Sequence, residues 1–167
     1  ERSGAEPAAV REAYLTAYAA RPQRAEPLCE LARYHRERSE FALACLYARQ
    51  AAALPRPAED ILFIDAQVYA WRALDELAAA GLVRASFSTN IKERRDCSTA
   101  LFDAAGRTLC QAEHIPVHLG SFLGLIAEIL KRHDAATIHP NNIFIGNAAF
   151  AGGGTHLPDI VLTEPVF

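Results

Sequence analysis

The sequence predicts an α+β chain: a helical N-terminal segment, then a mixed fragment with a β-hairpin, one helix and further strands. Three observations carry this. Apolar residues recur at helical spacing through residues 8–80, the period shortens after Gly81, and turn-forming residues then punctuate the chain at short intervals.

The elements follow in order. In "AEPLCELARYHRER" Leu28, Leu31, Ala32 and Tyr34 share a helical face, and in "EFALACLYARQAAAL" Phe41, Ala44, Leu46, Ala48 and Ala51 do the same. Ser39 and Glu40 in the polar turn "RERSE" start the second helix. Pro55 and Pro57 stop it, because proline lacks an amide donor and clashes with the preceding turn. A further helix, "AQVYAWRALDELAAAG", should close on Gly81 as its C-terminal cap, with Tyr69 and Trp71 in the core. Beyond it, "CSTALFD" and "RTLCQAEH" flank "AAG" as a hairpin with Gly106 in the turn. "LGSFLGLIAEILKRHD" reads as a helix capped by Ser121, with Leu123, Ile126, Ala127 and Leu130 on one face. "NNIFIGN" and "DIVLTEPVF" read as strands on either side of the glycine run at 152–154.

Leu28, Leu31 and Ala32, then Ala44, Ala48 and Ala51, then Pro55 resemble a tetratricopeptide-like α-helical pair. Residues 24–78 are similar, more narrowly, to the helical segment of certain bacterial glycosyltransferases. That resemblance implies packing and a protein partner for the helices. A partner-binding groove would need Tyr34, Tyr47 and Tyr69 to face outward.

Composition removes several functions. A net charge of −3 gives no electrostatic footprint for nucleic acid. No apolar run approaches the length that spans a membrane, and "ERSGAEP" lacks the order of a signal peptide, so a cytoplasmic location is expected. Cys29, Cys45, Cys97 and Cys110 show no CxxC spacing and read as small hydrophobes. Methionine is absent, as in a fragment or trimmed chain. The 15 Arg against 2 Lys, with abundant Ala, suggest a GC-rich bacterial source.

Candidate chemistry gathers at histidines and at the glycine run. His114 and His118 flank Pro116, which opposes a helix, and four residues of strand would part them by about 13 Å unless the chain bends. His156 and Asp159 bracket "HLPD", a turn whose ends approach within about 7 Å. Imidazole with carboxylate suits Zn²⁺, Mn²⁺ or Fe²⁺, and an open position would let the ion activate water. The glycine run is not a phosphate loop, because no Gly-Lys-Ser/Thr follows and no helix begins there. "IKERRD" reads as a solvated charged face.

"NIKERRD", "AEHIPVHLGS" and "GGTHLPDI" occur in this order, and with their surroundings (87–121 and 143–167) they resemble the N-terminal region of the hydantoinase B/oxoprolinase family, which includes acetone carboxylase alpha-type subunits. The resemblance implies two domains, a helical segment at 1–80 and a family fragment at 82–167. It implies ATP-dependent hydrolysis of a cyclic amide such as N-methylhydantoin or 5-oxoproline, or chemistry on a small ketone in the carboxylase branch. ATP would be handled by a companion hydantoinase A-type subunit. A divalent metal (Mn, Zn or Fe) would be held by His156, Asp159, His118 and His114, and substrate contacted by Arg94, Arg95, Asn147 and Gly153. Either arginine could clamp a carboxylate bidentately. One departure matters: where the family pattern runs Asn-Asp-Pro before the glycines, this chain has "GNAAF", so Ala148 replaces an aspartate and Ala149 a proline. A lost carboxylate weakens metal binding. Such a subunit would be several times longer than these 167 residues, so the isolated chain is expected to be inactive alone. A helical interaction module, or a chimeric joining of two gene fragments at "LAAAGLVRAS", are the competing expectations.

Overall fold

The structure is a computed structural model that describes residues 6–60, 63–113, 118, 121–148, 150 and 157–167. It divides into two compact units, residues 1–94 and 95–167.

The first unit is helical: α1 (Pro7–Ala20), α2 (Glu26–Glu37), α3 (Phe41–Ala53), a π-helical turn (Val68–Arg72) running into α4 (Ala73–Ala85), and the short α5 (Thr89–Lys92). Pro7 and Pro27 sit in the first turns of α1 and α2, where a missing amide hydrogen costs nothing. Glu40 precedes α3, and α3 ends at Ala53 just before Pro55, as the proline pair requires. The core is built from Ala25, Leu28, Cys29, Leu31, Ala51, Val68 and Ala73, with Tyr14, Tyr18, Tyr47 and Tyr69 packed against it. Residues 54–60 and 63–65 are not helical, a break that interrupts the helical spacing of residues 8–80 at Pro55 and Pro57. Ion pairs tie this stretch to α2. Arg24 binds Glu26 at 2.7 Å and Asp60 at 3.1 Å, and Arg72 binds both Asp65 and Glu30 at 2.7 Å.

Two expectations are corrected here. Gly81 does not cap α4, which continues to Ala85. Val83 is buried on the same side as Glu76, Ala79 and Ala80, so another turn of helix covers more apolar surface than a stop at Gly81 would. Nor do Tyr34, Tyr47 and Tyr69 share one outward groove. Tyr34 is buried with its hydroxyl donating to the Pro7 carbonyl at 3.0 Å, and Tyr47 stacks on His35. The Tyr69 hydroxyl donates to Glu26 at 2.7 Å and accepts the Ala25 amide at 3.0 Å.

The second unit holds two antiparallel ribbons and a helix: β1 (Ser98–Phe102), β2 (Thr108–Glu113), α6 (Ser121–Arg132), β3 (Phe144–Gly146) and β4 (Val161–Thr163). In the β1–β2 hairpin Ser98 lies opposite Glu113 and Ala100 opposite Gln111. Asp103 shapes the turn, its carboxylate accepting the amides of Ala105 and Arg107 at 2.9 Å each, and Gly106 takes the expected positive φ of 77°. A methyl group on Gly106 would also meet Leu130 at 3.0 Å and Ile126 at 3.3 Å, so the hairpin turn lies on α6.

Helix α6 starts at Ser121 itself, and its buried face differs from the expected one. Ile126 and Ile129 are buried and Phe122 and Leu125 half-buried, whereas Leu123, Ala127 and Leu130 are exposed. Gly146 of β3 explains the rotation: a β-carbon there would come within 2.5 Å of Leu125, so the strand backbone presses directly on that side of the helix. β3 pairs with β4 as Ile145 opposite Leu162 and Gly146 opposite Val161, with Val161 buried.

All four cysteines are free thiols, three of them buried. No helix among the described residues is long and apolar enough to cross a membrane.

Candidate functional site

The β1–β2 hairpin brings chemistry together around His118. Its side chain is largely buried, 11% exposed, and Nδ1 lies 2.9 Å from the Ser98 hydroxyl. The Gln111 side-chain amide donates to the His118 carbonyl at 3.1 Å. On the other side of the ring, Nε2 faces two carboxylates, Asp96 at 3.7 Å and Asp159 at 4.0 Å. Both distances exceed a direct hydrogen bond. They are close to the spacing of about 3–3.5 Å that two donors adopt when each sits about 2.1 Å from one ion.

Each residue arrives by a local route. Asp96 follows Arg95, whose φ of 58° turns the chain before β1. Asp159 follows the turn at Leu157 and Pro158 and leads into β4. Asp159 is the more enclosed carboxylate at 19% exposure, while Asp96 keeps 45% of its side chain in water. Burial pushes the thiol of neighbouring Cys97 up from its ordinary value, so it stays protonated and offers no thiolate beside the carboxylates.

Of the residues expected from sequence, the structure joins His118 to Asp159. His114, His156 and Gly153 lie outside the described residues. Arg94 is exposed, Arg95 half-buried and Asn147 exposed just beyond β3. Ala148 is exposed too, and the β3–β4 register places positions 148 and 159 at the same end of that ribbon. A carboxylate at 148, which the resemblance implies for this position, would stand at the end of the ribbon that bears Asp159. Sequence pattern does not single out Asp96, which reads there as the last member of a solvated charge run. Its signal was position: it adjoins the apolar "CSTALF", so the start of a strand had to hold it at the sheet edge.

A nitrogen donor facing two carboxylates matches the chemistry of a divalent-cation site. Among the described residues no group of three or more His, Cys, Asp or Glu side chains is arranged to hold a metal ion. His118 with Asp159, or with Asp96, forms a pair that needs a further donor.

Comparison with known proteins places this cluster in context. A family model described as hydantoinase B/oxoprolinase matches residues 69–167, more than half of the chain. The chain belongs to the hydantoinase B/oxoprolinase family. The match starts at residue 69, within the π-helical turn that runs into α4. The 5-oxoprolinase 1 of Arabidopsis thaliana is 35% identical over 120 residues, covering 72% of this chain and 9% of that protein. The 5-oxoprolinase of Saccharomyces cerevisiae is 40% identical over 102 residues, 60% of this chain and 8% of the yeast protein. That of Dictyostelium discoideum is 37% identical over 90 residues, 52% and 7% respectively. The chain thus spans less than a tenth of the length of these relatives. Since the relatives are mainly eukaryotic, the bacterial source suggested by residue usage gains no support. No solved structure matches the chain.

Proposed function

We propose that this chain supplies the metal-holding segment of a hydantoinase B/oxoprolinase-type subunit, acting in ATP-dependent hydrolysis of a cyclic amide such as 5-oxoproline or N-methylhydantoin. The observation that carries the reading is His118 Nε2 facing Asp96 and Asp159 at 3.7 and 4.0 Å. His118 and Asp159 are the first donors, Asp96 the more accessible carboxylate beside them, and His114 and His156 the source of the remaining ligands. A divalent ion held there, Mn, Zn or Fe, would polarise the amide carbonyl or acidify a water. Arg94 and Arg95 offer guanidinium groups for a substrate carboxylate such as that of 5-oxoproline. ATP would be bound by a companion hydantoinase A-type subunit, and the 167-residue chain alone would turn over little or nothing.

Two measurements test this. Metal analysis after loading with Mn²⁺ or Zn²⁺ should find an ion in the chain and a reduced content in His118→Ala and in His156→Ala. Equal content in all three would remove both histidines as ligands. Incubation with ATP and 5-oxoproline should give no glutamate from the isolated chain, and turnover by it would refute the dependence on a companion.

A further inference from the structure

The face of the β1–β2 hairpin that carries Ser98 also carries Gln111. Ser98 and Ala100 point to one side of the pleat, and Gln111 lies directly opposite Ala100, so both polar side chains emerge on the same side. Both end on His118: the Ser98 hydroxyl at ring Nδ1, 2.9 Å away, and the Gln111 amide on the main-chain carbonyl at 3.1 Å. One residue is thereby fixed at two points, the main chain by a bond that leaves the ring free to turn, and the ring by a bond at the nitrogen remote from the carboxylates.

We propose that Ser98 is the positioning residue of His118: its hydroxyl oxygen accepts the Nδ1 proton and thereby presents Nε2, with its lone pair, to a cation between the imidazole and Asp96 or Asp159. This rests on the metal reading of the same site and adds what orients its histidine. An imidazole that binds a cation through one nitrogen needs its proton on the other, and a hydrogen-bond acceptor there fixes both tautomer and ring plane. Serine can fill this role because its hydroxyl has lone pairs to accept with. Alanine cannot, and threonine can. Gln111 acts one step further back, holding the main chain from which the ring hangs.

The test uses the full chain labelled with ¹⁵N-histidine, as wild type, Ser98→Ala and Ser98→Thr. In the metal-free protein the His118 Nδ1 resonance should move in Ser98→Ala and return in Ser98→Thr. An unchanged resonance in Ser98→Ala overturns the proposal, because Ser98 then has no hold on the ring. In Zn²⁺ titrations Ser98→Ala should lose about 10–100-fold in affinity, as outer-shell partners of metal-bound histidine do, and Ser98→Thr should recover most of it. Full affinity in Ser98→Ala, with Zn²⁺ bound normally by the wild type, also overturns the proposal while leaving the metal reading in place. If the wild-type chain binds no Zn²⁺ yet the Nδ1 response to Ser98→Ala and its rescue are present, the metal reading falls and the positioning of the ring by Ser98 stands.

Discussion

Arg36 and Glu76 join α2 to α4 by two parallel hydrogen bonds, Nε to Oε2 at 2.6 Å and Nη2 to Oε1 at 3.1 Å. The hydrogen bond that Arg36 donates to Glu76 raises its guanidinium above the ordinary value, so Arg36 stays charged. The partners differ in their access to water, with side-chain exposure of 25% for Arg36 and 9% for Glu76. That difference sets an asymmetric outcome. Arg36→Met strands a buried carboxylate, which costs about 3–5 kcal/mol when a buried pair loses one member. Glu76→Leu leaves a guanidinium on a long stem that can swing into solvent, so the cost falls to about 1–2 kcal/mol. Replacing both removes the stranded charge, and Arg36→Met/Glu76→Leu should return to within about 1 kcal/mol of the wild type. Urea denaturation followed through the fluorescence of Trp71, the single tryptophan, reads this unit directly. If Glu76→Leu proves as costly as Arg36→Met, or if the two losses simply add, the argument from differential burial is wrong.

Other expectations are as definite. Burial would raise the Glu26 carboxyl, but hydrogen bonds from Arg24 and Tyr69 outweigh it and hold the group below its ordinary value of 4.5. A depressed carboxyl contributes stability above that value and loses it as pH falls through the folded value, so Glu26→Gln should flatten the acid limb of thermal midpoint against pH below about 4.5. Burial pushes the Cys29 thiol up to about 12, so with a thiol reagent at pH 8 native Cys110 should react first and Cys29 only on unfolding; labelling followed by mass spectrometry checks the order. Gly146→Ala should cost the second unit no more than about 1 kcal/mol, because its β-carbon would meet at 2.5 Å a terminal methyl of the half-buried Leu125, which can turn aside; thermal unfolding followed by far-ultraviolet circular dichroism checks this, and a larger loss would show that Leu125 is held in place. Ala148→Asp should place a carboxylate at the end of the ribbon that bears Asp159 and tighten Mn²⁺ binding severalfold, with unchanged affinity counting against the site.

What could be read from the residues alone was what short-range chemistry decides. Gly106 in its turn, the proline stop after α3 and the strands within "NNIFIGN" and "DIVLTEPVF" follow from dihedral limits and local pattern. Gly81 misleads because its intrinsic preference is weak beside the burial of Val83 two residues on. The face of α6 was misjudged because spacing does not say which apolar stripe meets a neighbour; the close approach of Gly146 to Leu125 does. In the site, His118 and Asp159 were legible as residue types that hold metals. Asp96 and Ser98 were not, since their roles come from where the chain turns at Arg95 and from which hairpin face meets the histidine.

The central claim, that His118 and its carboxylate neighbours hold a divalent cation, is tested most directly by pulsed electron paramagnetic resonance of Mn²⁺ added to the ¹⁵N-histidine-labelled chain. The account predicts a directly coordinated ¹⁵N hyperfine coupling that weakens or disappears in His118→Ala. A Mn²⁺ signal with no nitrogen coupling, or one unchanged by His118→Ala, would contradict it.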